Sequence, residues 1–192
     1  MKTRIIILNT TADELCDIKE SLSRSNYQVI TTSSNLSDIS RAVINGSVDL
    51  VMAVTDKKFD QLFAVIRQIN KQQAVPVVIF TYDDSRNVIQ LAIQTGVSAY
   101  IVDGLQANRI VSILDTACFR FNEQQRVKTE LEKTKTTLAE RKLIDKAKGI
   151  LMQRSAKDED SVYKSMRKAA MDKNIKIAEL AKSIINSHEL MT

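Results

Sequence analysis

The residues with the most chemistry to offer lie towards the C-terminus. Tyr163 and Arg167 are four apart, and Lys164 and Lys168 repeat that interval one position later. On a helix this puts an aromatic ring and a guanidinium on one face, beside a row of two ammonium groups. Upstream, Lys148 and Gly149 sit inside the run Ala147-Lys148-Gly149-Ile150-Leu151-Met152. Its other residues favour helix, and a glycine in a helix interior costs about 1 kcal/mol relative to alanine. A bare backbone there has two uses that can hold together: a phosphate or base comes close to Gly149, and Ala147 and Gly149 let helices pack closely. Planar groups that stack on splayed bases, with cations to neutralise phosphate, are what recognition of unpaired nucleic acid requires. The plainer alternatives are a half-buried core ring for Tyr163 and a solvated helix face for Lys164, Arg167 and Lys168.

Catalysis has no comparable support. The single histidine, His188, lies near the end of the sequence, and there is no Ser-His-Asp or Cys-His set and no glycine-rich phosphate loop. No catalytic residue, metal site or cofactor is expected. Charge is unevenly spread: residues 1–119 hold 11 Lys/Arg against 12 Asp/Glu, whereas residues 120–192 hold 17 against 11, so an anionic partner meets the C-terminal third. Cys16 and Cys118 fall in apolar patterns far apart in sequence, which predicts buried free thiols and a reducing, cytoplasmic setting. The apolar run Ile5 to Leu8 is too short for a signal peptide or a span, and no membrane association is expected.

The elements that must position these side chains follow from periodicity. Short β-branched runs at Arg4 to Asn9, Tyr27 to Thr31, Asp49 to Thr55, Pro76 to Thr81 and Ala99 to Asp103 alternate with amphipathic stretches. Those stretches run from Ala12 to Ser23, Asn35 to Asn45, Phe59 to Gln72, Ser85 to Thr95, and from Gln106 onward. Near-continuous apolar strands between helices predict an α/β fold: a five-stranded parallel sheet of flavodoxin-like order 2-1-3-4-5, covered on both faces. In such sheets ligands gather at the carboxyl ends of the strands.

Those ends resemble a response-regulator receiver domain whose chemistry has been removed. A receiver holds magnesium with acids after its first strand, takes phosphate on an aspartate ending its third, and uses a hydroxyl after the fourth and a lysine after the fifth. Here Asn9 and Thr10 replace the acids, Val54 stands at the phosphoacceptor position, Thr81 keeps the hydroxyl and Asp103 replaces the lysine. Valine cannot be phosphorylated, and magnesium wants carboxylate oxygens. The expectation is a pseudo-receiver without phosphorylation. Asp56, two residues beyond Val54 on the same side of an extended strand, is a weak candidate acceptor, and Asp13 and Glu14 follow the first strand.

From Gln106 the helical pattern continues, because no proline or glycine occurs between Gly104 and Gly149. Leu114, Phe121, Lys128 and Lys135 with Ala117, Gln124, Leu131 and Leu138 fit the a and d positions of an imperfect heptad. The reading is a coiled coil and a homodimer, with a single solvated linker helix as the alternative. Three helices follow. The first carries Ile144, Ala147 and Leu151 inward and runs out near Ser155. The second starts at an Asp158 N-cap and repeats Val162, Tyr163, Met166 and Ala170 at i, i+1, i+4 and i+8, and the third presents Ile177, Leu180, Ala181 and Ile184. The chain divides as a pseudo-receiver over 1–105, a helical coiled-coil linker over 106–140 and an all-α domain over 141–192.

The run from Arg141 to Ile185 resembles an ANTAR domain, the RNA-binding module of bacterial transcription antiterminators. Ala147, Lys148, Gly149, Leu151 and Met152 match its Ala-Lys-Gly-x-Leu-Met core, Tyr163 and Arg167 its aromatic and arginine, and Ala181 its late alanine. Val162 and Ala156 depart from residues usual in that family. The order of domains, with Gly96 to Leu105 reading GVSAYIVDGL, is similar to the branch that regulates nitrate assimilation, with amidase regulators close to it. The resemblance implies binding to leader-mRNA stem-loops so that a competing terminator hairpin does not form, with Arg141, Lys148, Gly149, Tyr163, Lys164, Arg167 and Lys168 at the RNA. It also implies control by a ligand-sensing protein partner that sequesters the antiterminator. A DNA-binding response regulator is the alternative; the long helix without a flexible linker, the Ala-Lys-Gly run and the missing phosphoacceptor speak against it.

Overall fold

A computed structural model describes residues 2–11, 15–103, 105–155 and 158–189. Ala12, Asp13, Glu14, Gly104 and Ala156, all named above, lie outside the described residues. Internal contacts divide the chain into two units, Met1–Gln125 and Arg126–Thr192.

The first unit alternates β1 (Thr3–Asn9), α1 (Cys16–Ser23), β2 (Tyr27–Ser33), α2 (Leu36–Ile44), β3 (Leu50–Val54), α3 (Phe59–Gln72), β4 (Val77–Thr81), α4 (Arg86–Thr95), β5 (Ala99–Val102) and the start of α5 (Ala107–Ser155). All strand pairs are parallel and the order is β2-β1-β3-β4-β5, as the alternation predicts. Every residue of β3 (LVMAV) and β4 (VVIFT) is buried, which is the consequence of helices on both faces. The two-residue period of the strands divides the core accordingly. Ile6, Leu8, Val51, Ala53 and Ile79 face a layer that includes Ile39, Phe63 and Ile66 of α2 and α3. Ile5, Ile7, Met52, Val54 and Phe80 face Ile18 and Leu22 of α1 and Ile110 and Leu114 of α5. Gly96 caps α4 at φ +88°, in the left-handed region where a Cβ is costly, and an added Cβ would stand 3.1 Å from Asn70 Nδ2.

Two sequence expectations change here. Leu114 and Ala117, placed in the heptad, are fully buried against the sheet, so this part of α5 serves the first unit's core. Cys16 is exposed, because α1 turns Ile18 and Leu22 inward and leaves its first residue outside, and Cys118 is only partly buried; both are free thiols.

In the second unit the C-terminal part of α5 packs with α6 (Glu159–Asp172) and α7 (Ile177–Glu189). Their shared core is Ala147, Ile150, Val162, Met166, Ala170, Leu180, Ala181 and Ile185. Asp158 is the N-cap read from the sequence: its Oδ2 accepts from the Ser161 amide at 3.2 Å. On α7 the inward stripe is rotated slightly from the expected one, with Ala178 and Ile185 buried and Ile177 and Ile184 at its margin. Between the cores, every side chain of α5 from Arg126 to Ala139 is exposed, Val127, Leu131 and Leu138 included.

Candidate nucleic-acid interface

Lys148 is the best-anchored of the candidate residues. Its Nζ lies 2.7 Å from Asp145 Oδ1, one turn earlier on α5, and 2.6 Å from Glu159 Oε1 in the first turn of α6. Only 15% of its side chain is exposed, unusually little for a lysine in a small domain. Hydrogen bonds to Asp145 and then Glu159 hold the ammonium above its ordinary pKa, and the bond from Lys148 lowers Asp145, with the charge of Arg141 one turn away adding a little. In the described structure the lysine therefore bridges α5 and α6, and its charge is shared between two carboxylates.

That bridge sets the position of the remaining candidates. Glu159, Tyr163 and Arg167 follow one another at four-residue intervals on α6, so Lys148 stands at the head of their row. Tyr163 is 41% exposed, beside the buried Val162, and is not among the residues that form or line the three-helix core. Lys164, Arg167 and Lys168 are exposed, and none forms an ion pair with a described residue. Met171, 70% exposed, extends the row by another turn. The sequence reading missed it, although its spacing of eight from Tyr163 was the available signal. A ring, a guanidinium and a thioether along one edge, with two ammonium groups beside them, can stack on bases and neutralise phosphates.

Close packing within the chain does not require a glycine at position 149. A Cβ built there meets nothing within 4 Å, and the residue is exposed, whereas Ala147 is fully buried in the three-helix core. Packing inside the chain explains the alanine and leaves the glycine unexplained. Arg141 is also exposed, two turns N-terminal to Lys148 on α5.

The strand ends of the first unit hold a different arrangement. Val54 is 3% exposed and belongs to the core. Asn9 Oδ1 accepts from the Thr11 amide and hydroxyl at 3.2 and 2.9 Å, and Thr10 Oγ1 donates to Thr55 Oγ1 at 2.7 Å. Asp56 turns to β4, where its Oδ1 accepts from Thr81 Oγ1 at 2.9 Å and the Tyr82 amide at 2.6 Å. The cavity beside it, bordered by Thr11, Val54, Asp56, Thr81, Tyr82 and Leu105, has a volume of ≈ 10 Å³, about that of one water. No cluster of three or more metal-ligating side chains occurs among the described residues.

Residues 132–185, which carry the Lys148 bridge, Gly149 and the Tyr163 row, match the ANTAR domain family. The C-terminal unit contains an ANTAR domain. Similarity extends beyond it: the chain is 24% identical over 185 residues to the transcriptional regulatory protein PdtaR of Mycobacterium tuberculosis, covering 96% of this chain and 90% of that one. It is 39% identical over 64 residues to the nitrate regulatory protein of Klebsiella oxytoca, a stretch that covers 33% of this chain and 16% of the relative. Among solved structures, a CheY-like response regulator receiver domain protein from Methanospirillum hungatei is similar with a TM-score of 0.54 at 15% identity, covering 66% of this chain and 98% of that one. The fold ahead of the ANTAR domain is thus that of a receiver. Among the described residues no helix is long and apolar enough to cross a membrane.

Proposed function

We propose that the protein is an RNA-binding transcription antiterminator. Its ANTAR domain grips stem-loops of a leader mRNA and keeps the competing terminator hairpin from forming, so that polymerase reads into a metabolic operon. The observation that carries this reading is the face of α6: Tyr163, Lys164, Arg167 and Lys168 are exposed together, with their charges unspent on any described residue. Arg141 adds a cation upstream, Gly149 offers bare backbone, and Lys148 holds the start of α6 in place through Glu159. The similarity to the nitrate regulatory protein supports nitrate or nitrite assimilation as the controlled process.

Phosphorylation is not the input in this reading. A receiver fold with valine at the acceptor position is kept as a surface, and a ligand-sensing protein partner docks on it and on α5 to sequester the antiterminator. The exposed seam of Leu131 and Leu138 joins two copies as a short coiled coil. The test is an equilibrium titration of the whole protein with the leader RNA of its neighbouring operon, against a loop-scrambled RNA and the matching duplex DNA. Loop-dependent RNA binding that weakens with salt is expected; preference for the duplex would transfer the protein to the DNA regulators.

A further inference from the structure

The carboxyl edge of the sheet holds a second cavity, and its chemistry is the reverse of a magnesium site. It lies where the strand order reverses, between the ends of β1 and β3, the place at which open α/β sheets bind ligands. Its volume is ≈ 170 Å³, and Thr10, Ser34, Asn35, Thr55, Lys57 and Lys58 are among its borders. No carboxylate among the described residues borders it, because Asp56 is turned away to Thr81 and Tyr82.

The loop that carries the two lysines is held by a polar chain. Thr10 Oγ1 donates to Thr55 Oγ1, which donates in turn to the Lys57 carbonyl at 2.8 Å, fixing the loop that leaves β3. Lys58 then takes φ +60°, a left-handed conformation that a residue with a Cβ rarely adopts, and α3 begins at once. This turn sets successive lysines on the rim of one cavity. Neither ammonium group has an ion-pair partner among the described residues.

We propose that this cavity binds a small phosphate ester, non-covalently and without a metal. Two point-charge cations match a dianion, and hydroxyl and amide side chains at the rim supply the hydrogen bonds that orient it. A dry cavity of about 150 Å³ accommodates benzene, so this one holds a phosphate group with a body of a few further heavy atoms. The site is separate from the ANTAR interface, and the inference stands whether or not the protein binds RNA.

The test uses the whole protein without RNA. Inorganic phosphate and glycerol 3-phosphate are titrated by calorimetry at constant ionic strength, with sodium chloride as the control anion. Saturable binding is expected, tighter for the ester, weakened at least tenfold in K57Q/K58Q and unchanged in R67Q/K71Q, which removes equal charge from exposed positions of α3. The protein's mass stays the same throughout. No saturation, an equal response to chloride, or wild-type affinity in K57Q/K58Q would overturn the proposal, and a covalent mass increase would replace it with phosphorylation.

Discussion

At Gly149 stability and function pull in opposite directions. Its Cβ position is open, so Gly149→Ala should stabilise the C-terminal unit by up to about 1 kcal/mol in thermal unfolding. The same methyl group should weaken RNA binding if, as proposed, RNA approaches the bare backbone there; a variant that is more stable and binds equally well would remove Gly149 from the interface. Tyr163→Ala should cost about 1–3 kcal/mol of RNA affinity through lost stacking, whereas Tyr163→Phe should cost little, since no hydrogen bond of its hydroxyl is part of the account. Arg167→Ala should weaken binding and flatten its salt dependence, with the circular dichroism unchanged because the side chain is exposed. These residues were legible in the sequence by type and spacing. The partners of Lys148 were not: Asp145 is a neighbour at helical spacing, but Glu159 comes to it only through the packing of α6 on α5, which no local pattern encodes.

Among the elements, α5 shows why a repeat can be read correctly and assigned to the wrong partner. Leu114 and Ala117 recur at the interval of a coiled coil, yet a helix lying on a sheet repeats its apolar residues almost identically, and here the sheet takes them. The strands were easier, because β3 and β4 are apolar throughout and only a doubly covered position suits them. Cys16 was misplaced for the opposite reason, since an eight-residue helix such as α1 shows too little of its period to fix which face turns inward. The unspent part of α5 carries its own prediction. Leu131→Glu with Leu138→Glu should convert a dimer to a monomer by sedimentation equilibrium and leave thermal unfolding of both units in place, because both side chains are about half exposed in the single chain. A monomeric wild type would restrict α5 to the role of a linker.

For the whole molecule, charge is divided between the two halves of the chain. The half with the receiver fold is nearly neutral and has Val54 at the position of the receiver's acceptor, whereas the net positive charge lies with the ANTAR half. Acetyl phosphate with magnesium should therefore add no mass to the protein and leave its RNA affinity as it was; modification of Asp56 with a change in affinity would end the account of control by a partner. The central claim is tested most directly by single-round transcription through the leader of the neighbouring operon, scoring the fraction of polymerase that passes the terminator. Read-through should rise with added protein, and should not rise with Arg167→Ala or with a leader whose loops are scrambled. Termination that is indifferent to the protein, or relieved equally on the scrambled leader, would contradict the account.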